Sequence, residues 1–356
     1  VPNGNLALRD HPKLCLTAGD DRRDAGSDIL VFPGYQYRSS TMQACRERGD
    51  ELQDFRWGRD DENERGLANA LRSGMATEIQ QGIRSIYESG SGNVKSRTDE
   101  LYVDVAKTYR STEVETTAEI AYGDHDRQQL DVHVDTNRRG SDLAPVVVFF
   151  HGGGYVRGNK EDSRNVAEHF ASIGLVGVTA TYRLAPEAKW PDGANDIAAA
   201  VQWISDNISE FGGDPENIFV VGKSAGGGHV ANYAFRPDVL NGEYATAAGI
   251  VLISGNYDAS TEAYFGTMQA GLDEKQIFGN ISRSSIPIML TSSQYDLGAT
   301  AIATLRLANE LASEHGAVPR IRQLVGHNHY SPNISIGTSD RMLSDEILDF
   351  ILDTAH

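Results

Sequence analysis

A chain of 356 residues that is 40% apolar and 23% charged, with eleven Phe and fourteen Tyr, has the side chains for a sizeable core and is not a disordered chain. Fifty acidic residues against thirty-two basic ones leave a formal charge of −18, which repels phosphate backbones and anionic membrane surfaces and argues against nucleic acid as a partner. No run approaches the roughly 20 consecutive apolar residues of a bilayer-spanning helix, which excludes one; the mean hydropathy of −0.39 agrees.

Residues 1–112 mix polar runs with short apolar stretches and read as an N-terminal extension. Cys15 and Cys45 lack CxxC spacing, so they suggest neither a zinc cluster nor a redox motif and form one disulfide or none. The first residue is Val1, as at a processed or engineered terminus, and Asn-Ile-Ser sequons start at Asn207, Asn280 and Asn333. Both a cytoplasmic and a secreted location stay open. One helix is legible, over 69–87, where Leu71, Met75, Ile79, Ile83 and Ile86 recur at steps of four and three and share a face. Such a helix either packs on the main body or forms part of a cap over an active site; 89–93 follow as a break.

From residue 113 onward short β-branched or aromatic runs alternate with helical patterns. That alternation is the sequence form of an α/β fold, a mostly parallel sheet with helices on both faces, over 113–356. Eight strands are expected near 118–122, 129–134, 145–150, 175–181, 217–221, 249–253, 286–291 and 320–324. Residues 146–150 and 218–221 are continuously apolar, as strands buried on both faces are, and mark the centre of the sheet. Helices are expected over 192–209, with Ile197, Val201, Ile204 and Ile208 on one side and Trp203 joining them, over 299–315, with Ala301, Leu305, Ala308 and Ala312 and a cap at Gly316, and over 340–352.

The strand at 217–221 runs into Gly222-Lys223-Ser224-Ala225-Gly226-Gly227-Gly228 and then a helical pattern. A serine on a tight strand-to-helix turn needs small neighbours, because the strained backbone brings them close while the hydroxyl is thrust outward. Ser224 is therefore the expected nucleophile. His151-Gly152-Gly153-Gly154-Tyr155 follows the other central strand and emerges at the same edge of a parallel sheet; its glycines let backbone N–H groups turn inward to hold an oxyanion. A serine hydroxyl needs a base, and the base a carboxylate. In the chain order Ser, acid, His, Asp296 is the first carboxylate after the seventh strand, and Gly326-His327-Asn328-His329 follows the eighth. From the residues alone His327 and His329 compete as base, and no HExxH or second ligand cluster supports a zinc site for the pair.

With these motifs in place, 113–356 resembles the α/β-hydrolase superfamily and, within it, esterases related to hormone-sensitive lipase (the α/β-hydrolase fold-3 type). The resemblance rests on His151 to Gly154, on Tyr182-Arg183-Leu184-Ala185-Pro186-Glu187 and on Ser224-Ala225-Gly226-Gly227. It implies a catalytic histidine at the end of Gly-x-x-His, hence His329, oxyanion donors at the N–H groups of Gly153, Gly154 and Ala225, and His151 as an anchor for its loop. Two departures stand out: Lys223 occupies a position that is often Asp in the family, and Asn328-His329-Tyr330-Ser331 differs from the common His-Gly-Phe ending. Gly228-His229-Val230-Ala231 also resembles small carboxylesterases and arylformamidases of the superfamily.

The expectation is a serine esterase that needs no metal or organic cofactor and acts on a small-molecule carboxylic ester, with Ser224, Asp296 and His329 as triad. No large apolar insertion separates the sixth and seventh strands, which points to a small or medium acyl group. Tyr155, Asn256 and Tyr257 are candidate lining residues, and Lys223 either pairs with a carboxylate or attracts an anionic substrate. An amidase, arylformamidase or lactonase would use the same triad. A ligand-binding receptor on the same fold would have lost the histidine.

Overall fold

The computed structural model describes residues 30–32, 35–37, 74–90, 92–105, 113–137, 142–267, 272–282 and 284–355. The chain divides into two compact units, 1–67 and 68–356. In the first, Leu30–Phe32 pairs antiparallel with Tyr35–Tyr37. Cys15, Cys45 and Leu71 lie outside the described residues.

The second unit is built on eight strands: β1 (Val114–Ala121), β2 (Gln129–Asp135), β3 (Ala144–Phe150), β4 (Val176–Ala180), β5 (Gly213–Lys223), β6 (Gly249–Ile253), β7 (Ile288–Tyr295) and β8 (Arg320–Asn328). All eight expected strands are present. They lie in the order β8-β7-β6-β5-β3-β4-β2-β1, with β2 antiparallel to both its neighbours and every other pairing parallel. The two continuously apolar runs sit at the centre, as β3 and β5, and are buried almost completely.

Eight helices matter for the site: α1 (Thr77–Glu88), α2 (Val94–Tyr102), α3 (Arg164–Ser172), α4 (Asp192–Asn207), α5 (Ala225–Phe235), α6 (Gly298–His315), α7 (Ser331–Ser335) and α8 (Met342–Thr354). The strand period of two sorts the core into two layers. Val146, Val148, Phe150, Val220 and Leu252 face one way, onto Ile197, Val201 and Ile204 of α4 and Leu307 and Leu311 of α6. Val147, Phe149, Phe219 and Val221 face the other way, onto Val166 and Phe170 of α3 and Ile347 and Phe350 of α8. Trp203 packs, half-buried, at the margin of the first layer.

Two helices depart from the sequence reading. The first begins at Thr77, because Gly74 takes a φ of 92° and Ala76 is extended; the expected residues 69–73 lie outside the described residues. Its buried face, Met75, Ile79 and Ile83 with Tyr102 of α2, is the expected one. In α6 the buried stripe runs through Ala303, Thr304, Leu307, Ala308 and Leu311, while Leu305 is 64% exposed. In a helix this rich in alanine two adjacent stripes look equally apolar, and packing against the sheet selects between them. Gly316 caps α6 in the left-handed region at φ 73°.

The amides of the three sequon asparagines are engaged within the chain. Asn207 Nδ2 donates to the Trp203 carbonyl and Asn280 Nδ2 to that of Asp273. Asn333 is 7% exposed, with its Oδ1 held by Lys223.

Candidate active site

The strand order creates the site. From β3 the chain proceeds outward through β4, whereas from β5 it proceeds the other way through β6, β7 and β8, so the order reverses between β3 and β5. Loops leaving the carboxyl ends of those two strands part in opposite directions and open a crevice between them. The Gly152–Gly154 loop leaves β3 there, and Ser224 leaves β5.

Ser224 stands alone between β5 and α5 with φ 52° and ψ −118°. This is a strained conformation for a residue with a Cβ. The turn is possible because Gly226 has no side chain: a Cβ there would meet the carbonyl oxygens of Phe150 and His151 at 2.5 Å. The Ser224 Oγ lies 3.1 Å from His329 Nε2, and His329 Nδ1 lies 2.7 Å from Asp296 Oδ1. Asp296 comes from the end of β7 and His329 from the turn after β8, so three parallel strands deliver the three side chains to one edge of the sheet.

Asp296 is held by more than the histidine. Ser254 Oγ donates to its Oδ2 at 2.6 Å and the Ser293 N–H at 3.1 Å, while Thr300 Oγ1 and the Leu297 N–H reach Oδ1 at 2.9 Å each. Burial by itself would raise the Asp296 carboxyl, but His329, Ser254 and the Ser293 N–H outweigh it and hold it down at about 2. For His329 burial dominates and lowers the imidazole; the nearby Lys223 ammonium acts in the same direction, and Asp296 opposes both.

His327 is turned elsewhere. Its Nδ1 is 2.9 Å from Ser331 Oγ and its Nε2 3.1 Å from Asp340 Oδ2, all in the interior. The two imidazoles of the His-x-His pair thus serve separate partners.

On the other wall, Gly153 and Gly154 take φ of 139° and 62°. A Cβ on Gly153 would run into the Arg157 carbonyl, so the loop conformation requires glycine there. Among the described residues the N–H groups of Gly153 and Gly154 make no backbone hydrogen bond, and Ala225, as the first residue of α5, has no intrahelical acceptor for its N–H. His151 anchors this loop: its ring stacks on Tyr182 at 4.4 Å, its Nδ1 is 2.7 Å from the Gly152 carbonyl, and its own carbonyl accepts from Tyr182 Oη at 2.7 Å. Burial lowers it to about 4, so the ring stays neutral.

The stretch after β4 is fixed by Asp196 of α4, whose side chain is fully buried and receives the Arg183 N–H and Gln128 Nε2 at 2.8 Å each and the Arg183 guanidinium. Asp196→Ala would remove the buried acceptor of the Arg183 N–H and of Gln128 Nε2 and leave the Arg183 guanidinium with Asp192 alone. A loss of about 3–5 kcal/mol in stability is expected by denaturant titration.

The residues expected to line the pocket are placed unequally. Tyr155 is 1% exposed, its ring stacked on Tyr264 at 4.8 Å and its hydroxyl bonded to the Asn256 carbonyl, which makes it a support beneath the loop. Tyr257 is likewise interior, Asn256 is half-buried, and Lys223 points to the far side of the Ser224 turn, at Asn333. Next to the site in sequence, Tyr330 is half-buried and Val156 and Leu297 are exposed. The sequence reading missed Ser254, Thr300 and Asp196, none of which belongs to a recognisable motif.

Residues 147–302 match the family model described as the alpha/beta hydrolase fold. The chain has the α/β-hydrolase fold. Over 175 residues this chain is 32% identical to a probable carboxylic ester hydrolase, LipM, of Mycobacterium tuberculosis, across 47% of this chain and 38% of the relative. Over 87 residues it is 45% identical to the carboxylesterase NlhH of the same species, across 24% of this chain and 27% of the relative. The matched segments thus span well under half the length of either relative. Among solved structures, an esterase from the archaeon Pyrobaculum calidifontis superposes with a TM-score of 0.59 at 22% identity, covering 79% of this chain and 98% of that one. Esterase B of Lactobacillus rhamnosis gives 0.60 at 19% identity, with 77% and 98% covered. Those two likenesses are of fold. Among the described residues no helix is long and apolar enough to cross a membrane.

Proposed function

We propose that this chain is a serine carboxylic-ester hydrolase that works through an acyl-enzyme. The observation that carries the proposal is the chain of contacts from Ser224 Oγ through His329 to Asp296, at the one point where the strand order reverses. His329 Nε2 takes the proton of Ser224 as the hydroxyl attacks the ester carbonyl. Asp296, held as an anion, keeps the His329 Nδ1 proton in place and stabilises the imidazolium that forms. The N–H groups of Gly153, Gly154 and Ala225 receive the oxyanion, each donor being worth about 2.7–4 kcal/mol in such sites. The imidazolium then protonates the leaving alcohol, and His329 activates a water that releases the acid.

The names of the relatives, a carboxylic ester hydrolase and a carboxylesterase, agree with an ester substrate. So do the two described helices between β6 and β7, which are only four residues each and build no large apolar cover, as suits a small or medium acyl group. In this reading 113–356 carry the machinery, with α1 and α2 packed against β8 and α7. Initial rates on p-nitrophenyl esters of increasing acyl length test the assignment: turnover that is greatest for short chains supports it. Esters left intact beside hydrolysed amides or lactones would move the substrate class while keeping the nucleophile.

The pH profile follows from the imidazole. His329 accepts a proton only when neutral, so kcat/KM rises with pH through its titration. Burial and Lys223 disfavour the imidazolium, and the acid limb is therefore expected below the ordinary 6.5. A limb above 6.5 would mean that the Asp296 contact outweighs burial.

A further inference from the structure

The turn that bears His329 is gripped from two sides by groups that take no part in the chemistry described above. On one side is Lys223, the residue directly before Ser224, which is 8% exposed. Its Nζ donates to Asn333 Oδ1 at 2.5 Å and approaches the Tyr330 carbonyl oxygen at 3.4 Å, with the Tyr330 ring centroid 5.8 Å away. On the other side is Thr98 of α2, fully buried, whose Oγ1 accepts from Asn328 Nδ2 at 2.7 Å. Asn328 in turn closes the turn itself, its Oδ1 accepting the N–H groups of Tyr330 at 2.9 Å and Ser331 at 3.1 Å. His329 is the residue between these two anchors.

We propose that Lys223 and Thr98 are positioning residues that clamp the 328–333 segment, Lys223 tying Asn333 and the Tyr330 carbonyl to the nucleophile strand and Thr98 tying Asn328 to α2, so that His329 Nε2 stays within reach of Ser224 Oγ. The proposal rests on the triad reading given above.

Two physical arguments support it. Lys223 is covalently adjacent to Ser224, so its bonds to the far side of the histidine turn couple the positions of the two groups that exchange a proton. In a reaction governed by such alignment, a misplacement of about 1 Å costs on the order of 100-fold in rate. Lys223 also sets a positive charge beside His329, which disfavours the imidazolium. The charged groups facing Lys223 are Lys95 and Asp99 from α2 and Asp296 from the end of β7; burial, with Lys95 acting alongside it, brings the ammonium down to about 7, while the two carboxylates raise it.

The test uses the full chain with p-nitrophenyl butyrate as probe and compares Lys223→Met, Thr98→Val, Thr98→Ser and Ser224→Ala with the parent. Lys223→Met is expected to lose about tenfold or more in kcat with little change in KM, and to move the acid limb of kcat/KM to higher pH. Thr98→Val is expected to lose kcat by a similar factor with the limb in place, and Thr98→Ser, which keeps the hydroxyl, to recover most of it. Should Lys223→Met fail to fold, the Thr98 pair decides. Parental kcat in Lys223→Met and Thr98→Val, or equal impairment in Thr98→Ser and Thr98→Val, overturns the clamp while an inert Ser224→Ala leaves the triad standing. Parental turnover in Ser224→Ala overturns both.

Discussion

Ser224→Ala is expected to lower kcat by on the order of 10⁶-fold while the protein stays folded. The size of the effect follows from the site. Among the described residues no other hydroxyl is hydrogen-bonded to His329, so the variant has no substitute nucleophile there and keeps only what binding and the Gly153–Gly154 loop contribute. Stability should be untouched or slightly improved, because the hydroxyl's bond to His329 is the only side-chain hydrogen bond that Ser224 makes among the described residues. A companion variant separates chemistry from backbone strain. Ser224→Gly places a permissive residue at φ 52° and ψ −118° and is expected to be as inert as the alanine variant but more stable, by about 1–3 kcal/mol. Calorimetry beside steady-state rates reads both quantities. An active alanine variant would remove Ser224 from the mechanism.

The second large effect is a contrast between two histidines that sequence spacing barely separates. His329→Ala is expected to cost about 10⁴-fold or more in kcat with a nearly unchanged melting temperature, since it removes the proton acceptor at the mouth of the crevice. His327→Ala should do the reverse. It empties a fully buried site between Ser331 and Asp340 and takes away a partner of Ser331 Oγ, while Asp340 Oδ1 keeps the Met342 N–H; the cavity costs on the order of 2–5 kcal/mol. Any fraction of that variant that remains folded should turn over ester at a rate close to the parent's. If His327→Ala were folded and inert while His329→Ala remained active, the roles would be exchanged.

How much of this was legible in the sequence depends on the range of the interactions. The eight strands were readable because runs such as Val146–Phe150 are apolar at every position, a local property that burial on both faces imposes. The nucleophile turn and the glycine loop were readable because their backbones demand small residues at fixed offsets. Exposure was not readable: Tyr155 and Tyr257 sit next to the site in sequence, yet packing turns both inward. The start of α1 was hidden because an apolar stripe continues across Gly74, whose left-handed backbone breaks the helix. Least legible of all were the contacts of the histidine turn. Lys223 and Asn333 are 110 residues apart, and Thr98 and Asn328 are 230 apart, so no local pattern encodes either pair. Lys223 stood out as a departure from the family it resembles, but its partner is a neutral asparagine rather than a carboxylate or a substrate.

The most direct test of the central claim is stoichiometric labelling with a p-nitrophenyl alkylphosphonate, which needs an activated serine and leaves a stable adduct. The account predicts one adduct per chain, mapped by peptide mass spectrometry to Ser224, with esterase activity falling in proportion to label and no adduct in His329→Ala over the same interval. Label on another residue, or ester turnover that survives complete modification of Ser224, would contradict it.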